Sequence, residues 1–180
     1  MKINYYLKKN KLKKNQINLL SFHREENIDN NKNISNFIKI LENLNKEYKL
    51  PILVSTHPRL KKKLSDNNIK KTKNILFHKP FGYFEYMSLQ LSAKIIISDS
   101  GSITEEASIL NLPAISLRQD IERQEGMHEG VVVLSKVNFK DLKECIDILL
   151  NTRTKTFPKS FKEYEVKDLS NKVIRIIQSY

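Results

Sequence analysis

The chain has 180 residues, a formal net charge of +12 at pH 7 and a single cysteine. This length suits one domain with a sizeable core, and one cysteine excludes a disulfide framework and fits a reducing cytoplasm. No apolar run approaches the roughly 18 residues of a membrane span, and the N-terminus lacks the apolar core of a signal peptide.

The positive charge raises the possibility of nucleic-acid binding. Lysine, however, is frequent along the whole chain together with asparagine and isoleucine. This is a bias of composition rather than a positively charged patch. No aromatic signature of RNA binding accompanies the densest lysine runs, at residues 8–14, 61–63 and 70–73. We therefore expect neither a nucleic-acid partner nor a membrane partner.

Along the chain, predicted strands alternate with predicted helices. Residues 1–15 are polar and rich in lysine and asparagine, and they are predicted to be a lead-in, either a linker or the last helix of a preceding domain. One Rossmann-like domain is then expected over residues 16–180, with helices at its end. Strands are predicted at residues 18–22, 51–55, 75–77, 94–98, 113–117 and 131–134, and helices at 33–48, 58–65, 83–92, 102–110, 139–150 and 167–177. Repeated βα units predict an α/β fold with a doubly wound, mostly parallel sheet.

The most informative segment is the turn Asp-Ser-Gly-Ser at residues 99–102. It joins an apolar strand to a helix, and the unpaired N–H groups at a helix start bind phosphate well. Ser100, Gly101 and Ser102 would let the backbone approach such a group. The alternative is an ordinary capped helix, with Ser102 and Glu105 forming a capping box.

Other candidate site residues follow the first, second, third and fifth predicted strands. His23 follows the first strand, His57 the second, Phe81 the third and Arg118 the fifth, with Arg123 a few residues further on. Loops at the carboxyl ends of parallel strands line one crevice. The sequence therefore predicts a shared site at one edge of the sheet.

Five segments in this order carry a family resemblance. They are His-Arg-Glu-Glu-Asn at 23–27, His-Pro at 57–58, Pro-Phe-Gly-Tyr at 80–83, the turn with two glutamates at 99–106, and the segment 118–126 with its Glu-Arg-Gln-Glu. Together they resemble the C-terminal half of the non-hydrolysing UDP-N-acetylglucosamine 2-epimerases, over roughly residues 16–135. Ser102 in place of a second glycine, and Ser-Ile-Leu-Asn at 108–111, are similar to the branch acting on deoxy or diacetamido UDP-sugars for surface polysaccharide. Gln124 stands where the family usually has proline.

The resemblance implies one half of a GT-B-type two-domain fold, and a UDP-sugar as ligand. The implied UDP-binding residues are His23, Arg24, His57, Phe81, Ser100, Gly101, Ser102, Glu106, Arg118 and Arg123. Of these, His23 and the two later arginines would meet the diphosphate or sugar, Phe81 would stack on uracil, and Glu106 would accept the ribose hydroxyls. His23 and Arg123 are also the candidates for a catalytic role. No cofactor and no metal are expected, because the four histidines are scattered.

Each assignment has a simpler alternative. His23 could be a strand-end histidine bonded to backbone, Arg24 part of a solvated charge cluster with Glu25 and Glu26, and His57 only a helix cap. Asp99 and Asn27 are interpreted as residues that order their loops. Glu122 is the expected ion-pair partner of an arginine, and His128 a surface residue. Core packing is expected for two of the three side chains Tyr83, Phe84 and Met87.

The family inverts C2 of a UDP-HexNAc by eliminating UDP and adding it back, with acid and base carboxylates from the other half. This chain is about half the family's length. It is therefore predicted to be the UDP-binding half, in the cytoplasm, working with a separately encoded N-terminal half or as a homo-oligomer. A GT-B glycosyltransferase fragment and a non-catalytic nucleotide-sugar-binding remnant are the alternatives.

Overall fold

The computed structural model describes residues 2–67, 72–118, 123–151 and 164–179. Six strands form one sheet: β1 (Asn18–Ser21), β2 (Ile52–Ser55), β3 (Ile75–His78), β4 (Ile95–Ser98), β5 (Ala114–Leu117) and β6 (Val132–Ser135). Their order is β3-β2-β1-β4-β5-β6, and every neighbouring pair is parallel. The prediction of a doubly wound parallel sheet is confirmed, and each strand lies within one residue of its predicted bounds.

The described part of the chain also contains nine helices. They are α1 (Lys2–Lys9), α2 (Glu25–Ile28), α3 (Asn31–Tyr48), α4 (Pro58–Asp66), α5 (Tyr83–Gln90), α6 (Ile103–Leu110), α7 (Gln124–His128), α8 (Phe139–Asn151) and α9 (Leu169–Gln178). Asn30 begins α3 by accepting hydrogen bonds from the amides of Lys32 and Asn33. Such a cap satisfies N–H groups that a helix start leaves unpaired.

The first fifteen residues, predicted as a lead-in, contain a helix that packs onto the domain. Helix α1 contacts α5, and the side chains of Leu7 and Leu12 are buried. Tyr6 meets the rings of His78 and Phe81 edge-on. This segment therefore covers part of one face of the sheet, and the division at residue 15 stays a prediction.

Alternating strand residues feed two apolar cores, one on each face of the sheet. On one face, Leu20 packs in a cluster with α3 and α8 residues such as Phe37 and Leu142. On the other, Leu19 packs with Leu89 of α5 and with residues of α6. Parallel sheets are covered by helices on both faces in this way, and each fully buried large side chain stabilises the fold by roughly 1.5–3 kcal/mol.

Cys145 belongs to the first of these cores. It lies on the inner face of α8, and its Sγ donates to the carbonyl oxygen of Leu134 at 3.4 Å. Burial raises the pKa of the Cys145 thiol. Cys145 is therefore a buried thiol of this core.

The strand order has a switch point between β1 and β4. From β1 the chain adds β2 and β3 on one side, and from β4 it adds β5 and β6 on the other. In open parallel sheets, ligands bind at the carboxyl ends of the strands beside such a switch point. The turn at 99–102 and the loop after β1 both lie there. No helix within the described ranges is long and apolar enough to cross a membrane.

Candidate functional site at the switch point

The site is built around Asp99, whose side chain is completely buried at the end of β4. Its carboxylate accepts hydrogen bonds from the backbone N–H groups of His23 and Arg24, at 3.0 and 2.9 Å. It also accepts from the Asn27 amide at 3.1 Å. A buried carboxylate is costly unless it is hydrogen-bonded, and these donors compensate it. Asp99 therefore fixes the loop after β1 against the loop after β4, as the turn-ordering interpretation predicted.

The same carboxylate orients His23. The Nδ1 atom of His23 lies 3.2 Å from Oδ1 of Asp99, and nearly half of the His23 side chain is exposed. An imidazole that donates from Nδ1 leaves Nε2 available to a ligand, as an acceptor when neutral and as a donor when protonated. His23 lines the crevice and is thus held in place, although not by the backbone contact that the simpler alternative assumed.

Serine side chains hold the turn at residues 99–102 by hydrogen bonds. The Ser21 and Ser98 hydroxyls are 2.6 Å apart, and the Ser98 hydroxyl accepts from the Ser100 amide at 3.0 Å. Ser102 donates to Glu106 Oε1 at 2.8 Å and lies 3.0 Å from the Ser100 hydroxyl. The polar side chains of the turn are therefore arranged toward one another at the mouth of the crevice.

The predicted capping box at Ser102 and Glu105 is wrong. Ser102 is the N-cap of α6 by position, but its backbone is already helical and its side chain accepts no capping hydrogen bond. Its hydroxyl is engaged with Glu106, and Glu105 forms an ion pair with Arg123 instead. Glu105 is therefore engaged with a residue from another element, which the local sequence pattern could not reveal.

Two guanidinium groups lie against Gly101. A Cβ atom placed on Gly101 would be 2.7 Å from Nη1 of Arg123 and 3.6 Å from Nη1 of Arg118. Arg118 is almost fully buried, at 6% exposure. Permanent positive charge thus stands beside the N-terminal end of α6, as phosphate binding requires. Glu122, expected to pair with one of these arginines, lies outside the described residues.

The opposite wall of the crevice comes from the β2 and β3 loops. His57 lines it and also caps α4, because its Nδ1 accepts from the Arg59 amide at 3.4 Å. Phe81 stacks on His78, with ring centroids 4.0 Å apart and an interplanar angle of 8°. The crevice has a volume of about 430 Å³, within the range of small-molecule sites.

Tyr83 and Phe84 correct one expectation. They are 68% and 82% exposed at the start of α5. Core packing was expected for two of Tyr83, Phe84 and Met87, and this expectation is wrong. Tyr83 lies at the crevice instead. The first turn of α5 therefore presents aromatic surface to solvent.

Surface charges around the loop after β1 pair mostly with one another. Arg24 contacts Glu26 at 3.0 Å, and Arg59 pairs with Glu25 and Asp29. The interpretation of Glu25 as part of a solvated charge cluster is therefore confirmed. The Arg24 side chain has a nearby ion-pair partner in Glu26. His128 is exposed, as expected.

Sequence reasoning missed two residues of the site, Tyr86 and Gln90. Both lie on α5, one turn apart: Gln90 donates to Glu106, and Tyr86 lines the crevice. Their spacing of four residues places them on one helix face, but a glutamine within an apolar helix gives no indication of its partner.

A parallel sheet in this order, with its crevice at the switch point, defines a Rossmann-like α/β domain. The family model for UDP-N-acetylglucosamine 2-epimerase matches residues 2–178, and the chain belongs to this family. The resemblance seen in the five sequence segments is thereby confirmed.

Individual relatives agree. The UDP-N-acetylglucosamine 2-epimerase of Methanocaldococcus jannaschii is 37% identical over 139 residues, which are 75% of this chain and 38% of that protein. The crystal structure of a M. jannaschii UDP-GlcNAc 2-epimerase in complex with UDP-GlcNAc and UDP has a TM-score of 0.81 at 30% identity and covers 99% of this chain. The enzyme from Rickettsia bellii gives 0.79 at 36% identity, also over 99% of this chain. The match covers 49% of each solved chain, so this chain spans about half the length of its relatives.

Proposed function

We propose that this chain is the UDP-binding half of a UDP-N-acetylglucosamine 2-epimerase. The whole enzyme would invert C2 of a UDP-HexNAc in the cytoplasm, in the supply of surface-polysaccharide precursors. The observation that carries the proposal is the convergence, at the switch point, of the 99–102 turn, two arginines and the oriented imidazole of His23.

The arrangement suits a departing diphosphate. Arg118 and Arg123 stand over Gly101, at the positive end of the α6 dipole, where the UDP oxygens would gather negative charge. His23 would donate a hydrogen bond or a proton to the same diphosphate oxygens. Glu106 lines the crevice, where it would accept the ribose hydroxyls, and Phe81 would meet the uracil ring.

The reaction divides between two halves. Loss of the C2 proton and departure of UDP from C1 give a glycal; proton return to the opposite face of C2 and re-addition of UDP at C1 give the epimer. A base and an acid are required at C2, and the family resemblance assigns these carboxylates to the other half. In this proposal the present chain stabilises UDP and holds it for re-addition, and a separate N-terminal half or a second copy completes the cleft.

Calorimetric titration of the chain with UDP, and then with UDP-GlcNAc, tests the binding role. We expect binding of both, with UDP supplying most of the affinity. NMR in deuterated buffer should show no exchange of the C2 proton of UDP-GlcNAc, because the partner carboxylates are required for it.

Failure to bind UDP at millimolar concentration would contradict the binding role. C2 exchange catalysed by the chain alone would contradict the division of labour. Gly101→Val, discussed below, serves as the binding-deficient control for both measurements.

A further inference from the structure

Gln90 is a fully buried glutamine at the end of α5. Its Nε2 donates to Oε2 of Glu106 at 2.5 Å, across the gap between α5 and α6. The other oxygen of Glu106 accepts from Ser102. Two donors on opposite sides thus determine the orientation of this carboxylate within the crevice.

Gln90 is itself incompletely satisfied. Its Oε1 has no hydrogen-bond partner among the described residues, and neither has the buried hydroxyl of Tyr86 one turn earlier. Ser21 and Gln90 lie close enough to Tyr86 to influence its phenol. A buried donor and a buried acceptor on one helix face can satisfy each other after a small rotation, and leaving both unpaired is costly.

An apolar side chain at position 90 would avoid this cost. Its surroundings would suit one, since Leu89 and Ala93 are buried close by on the same segment. The donor of Gln90 is instead directed at Glu106.

We infer that Gln90, steadied by Tyr86, is a positioning residue that holds the Glu106 carboxylate in the orientation that accepts the ribose hydroxyls of the nucleotide. The inference rests on the proposed UDP-binding function and deepens it, because it names the residues that make the site selective for a ribonucleotide. A freely rotating carboxylate would accept two vicinal hydroxyls less well than a fixed one.

The test compares the dissociation constants of UDP and 2′-deoxy-UDP, measured by calorimetry on the full chain. The parent should prefer UDP by about tenfold, the effect of one hydrogen bond to a charged acceptor. Gln90→Met keeps the length of the side chain and removes its donor. In this variant UDP, which offers two hydroxyls to Glu106, should lose about tenfold more affinity than 2′-deoxy-UDP, which offers one, so the preference disappears.

Leu89→Val is the matched control, since it loosens the packing of α5 without touching Glu106, and it should keep the full preference. Gln90→Met with an undiminished preference would overturn the inference, and so would an equal loss of affinity for both nucleotides. Should Gln90→Met not fold, Tyr86→Phe decides: a preference cut about threefold supports the inference and an intact one overturns it.

The outcomes separate this inference from the proposed function. A parent chain that binds UDP and 2′-deoxy-UDP equally refutes the ribose role and leaves the diphosphate role standing. A parent chain that binds neither nucleotide refutes both.

Discussion

At the scale of single residues, Asp99 is the side chain that joins the two loops bordering the switch point. Its buried carboxylate accepts from two backbone amides of the loop after β1, from Asn27 and from the His23 ring. A further hydrogen bond, donated by the Asn33 amide to the Asn27 oxygen, extends this network to α3. One side chain therefore joins the two loops that border the switch point.

A side chain at position 101 should interfere with UDP binding. We expect Gly101→Val to abolish UDP binding while the chain still folds, because its β-carbon would displace the Arg123 guanidinium, 2.7 Å away, from the turn. That group is the flexible end of a long side chain and can move without disturbing the backbone. UDP calorimetry and circular dichroism measure the two halves of this expectation.

Gly130→Ala is the control for Gly101→Val. Gly130 has a φ of +67° and open space around it, so alanine there should lower the unfolding free energy by about 1 kcal/mol without changing UDP affinity. Tight UDP binding by Gly101→Val would show that the turn does not hold the diphosphate.

Tyr86 should make stability depend on pH in alkaline solution. Burial, with the Glu106 carboxylate adding to it, raises the pKa of Tyr86 to about 12, whereas an unfolded tyrosine ionises near 10. The unfolded state therefore loses its proton first, and the stabilising contribution is lost as pH rises from 10 to 12. At pH 11 the loss should be about 1 kcal/mol.

Urea unfolding at pH 9 and pH 11 tests this. The fall in unfolding free energy between the two pH values should be smaller in Tyr86→Phe than in the parent, by that amount. Tyr83→Phe, which changes an exposed ring, should behave as the parent does. An equal fall in all three proteins would place the Tyr86 hydroxyl in water.

At the scale of elements, the close approach of α7 to α6 depends on Gly126. A Cβ atom on this buried glycine would lie 2.0 Å from Cγ2 of Thr104. Gly126→Ala should therefore force the two helices apart and lower the unfolding free energy by about 1–3 kcal/mol. Because Arg123 is the N-cap of α7, the same shift should weaken UDP binding.

A double-mutant cycle identifies the cause. Thr104→Ser removes the clashing methyl group and keeps the hydroxyl, so Gly126→Ala combined with Thr104→Ser should recover most of the lost stability. Additive losses in the double mutant would mean that the alanine acts through some contact other than Thr104.

The elements differ in how far the sequence could predict them. Strands such as β4 are short apolar runs bounded by turn residues, and their bounds were predictable. Helices α2 and α7 were not, because four and five residues are too few to show a helical period. At the site, the strand-end positions of His23 and Gly101 followed from topology. The partners of Glu105 and Gln90 did not, since they come from elements distant in the chain.

At the scale of the whole molecule, the domain combines a well-packed sheet with a helix, α9, whose residues are all exposed. Helix α9 buries none of its residues. Its apolar side chains at 169, 173, 176 and 177 recur at helical spacing and are 45–69% exposed. An exposed stripe of this kind marks an interaction surface. It agrees with a chain that spans about half the length of its relatives.

We expect the chain to associate through this stripe, either with a second copy or with a separate N-terminal half. Light scattering of the isolated chain at hundreds of micromolar should therefore give a mass-average above the monomer. Val173→Ser combined with Ile177→Ser should restore the monomer, because it removes two of the four apolar contacts without changing charge. Ile109→Ser, at an exposed position on α6, is the control and should leave the association unchanged.

A clean monomer in the parent chain at that concentration would contradict self-association through α9, and an unchanged mass in the double variant would locate the contact elsewhere.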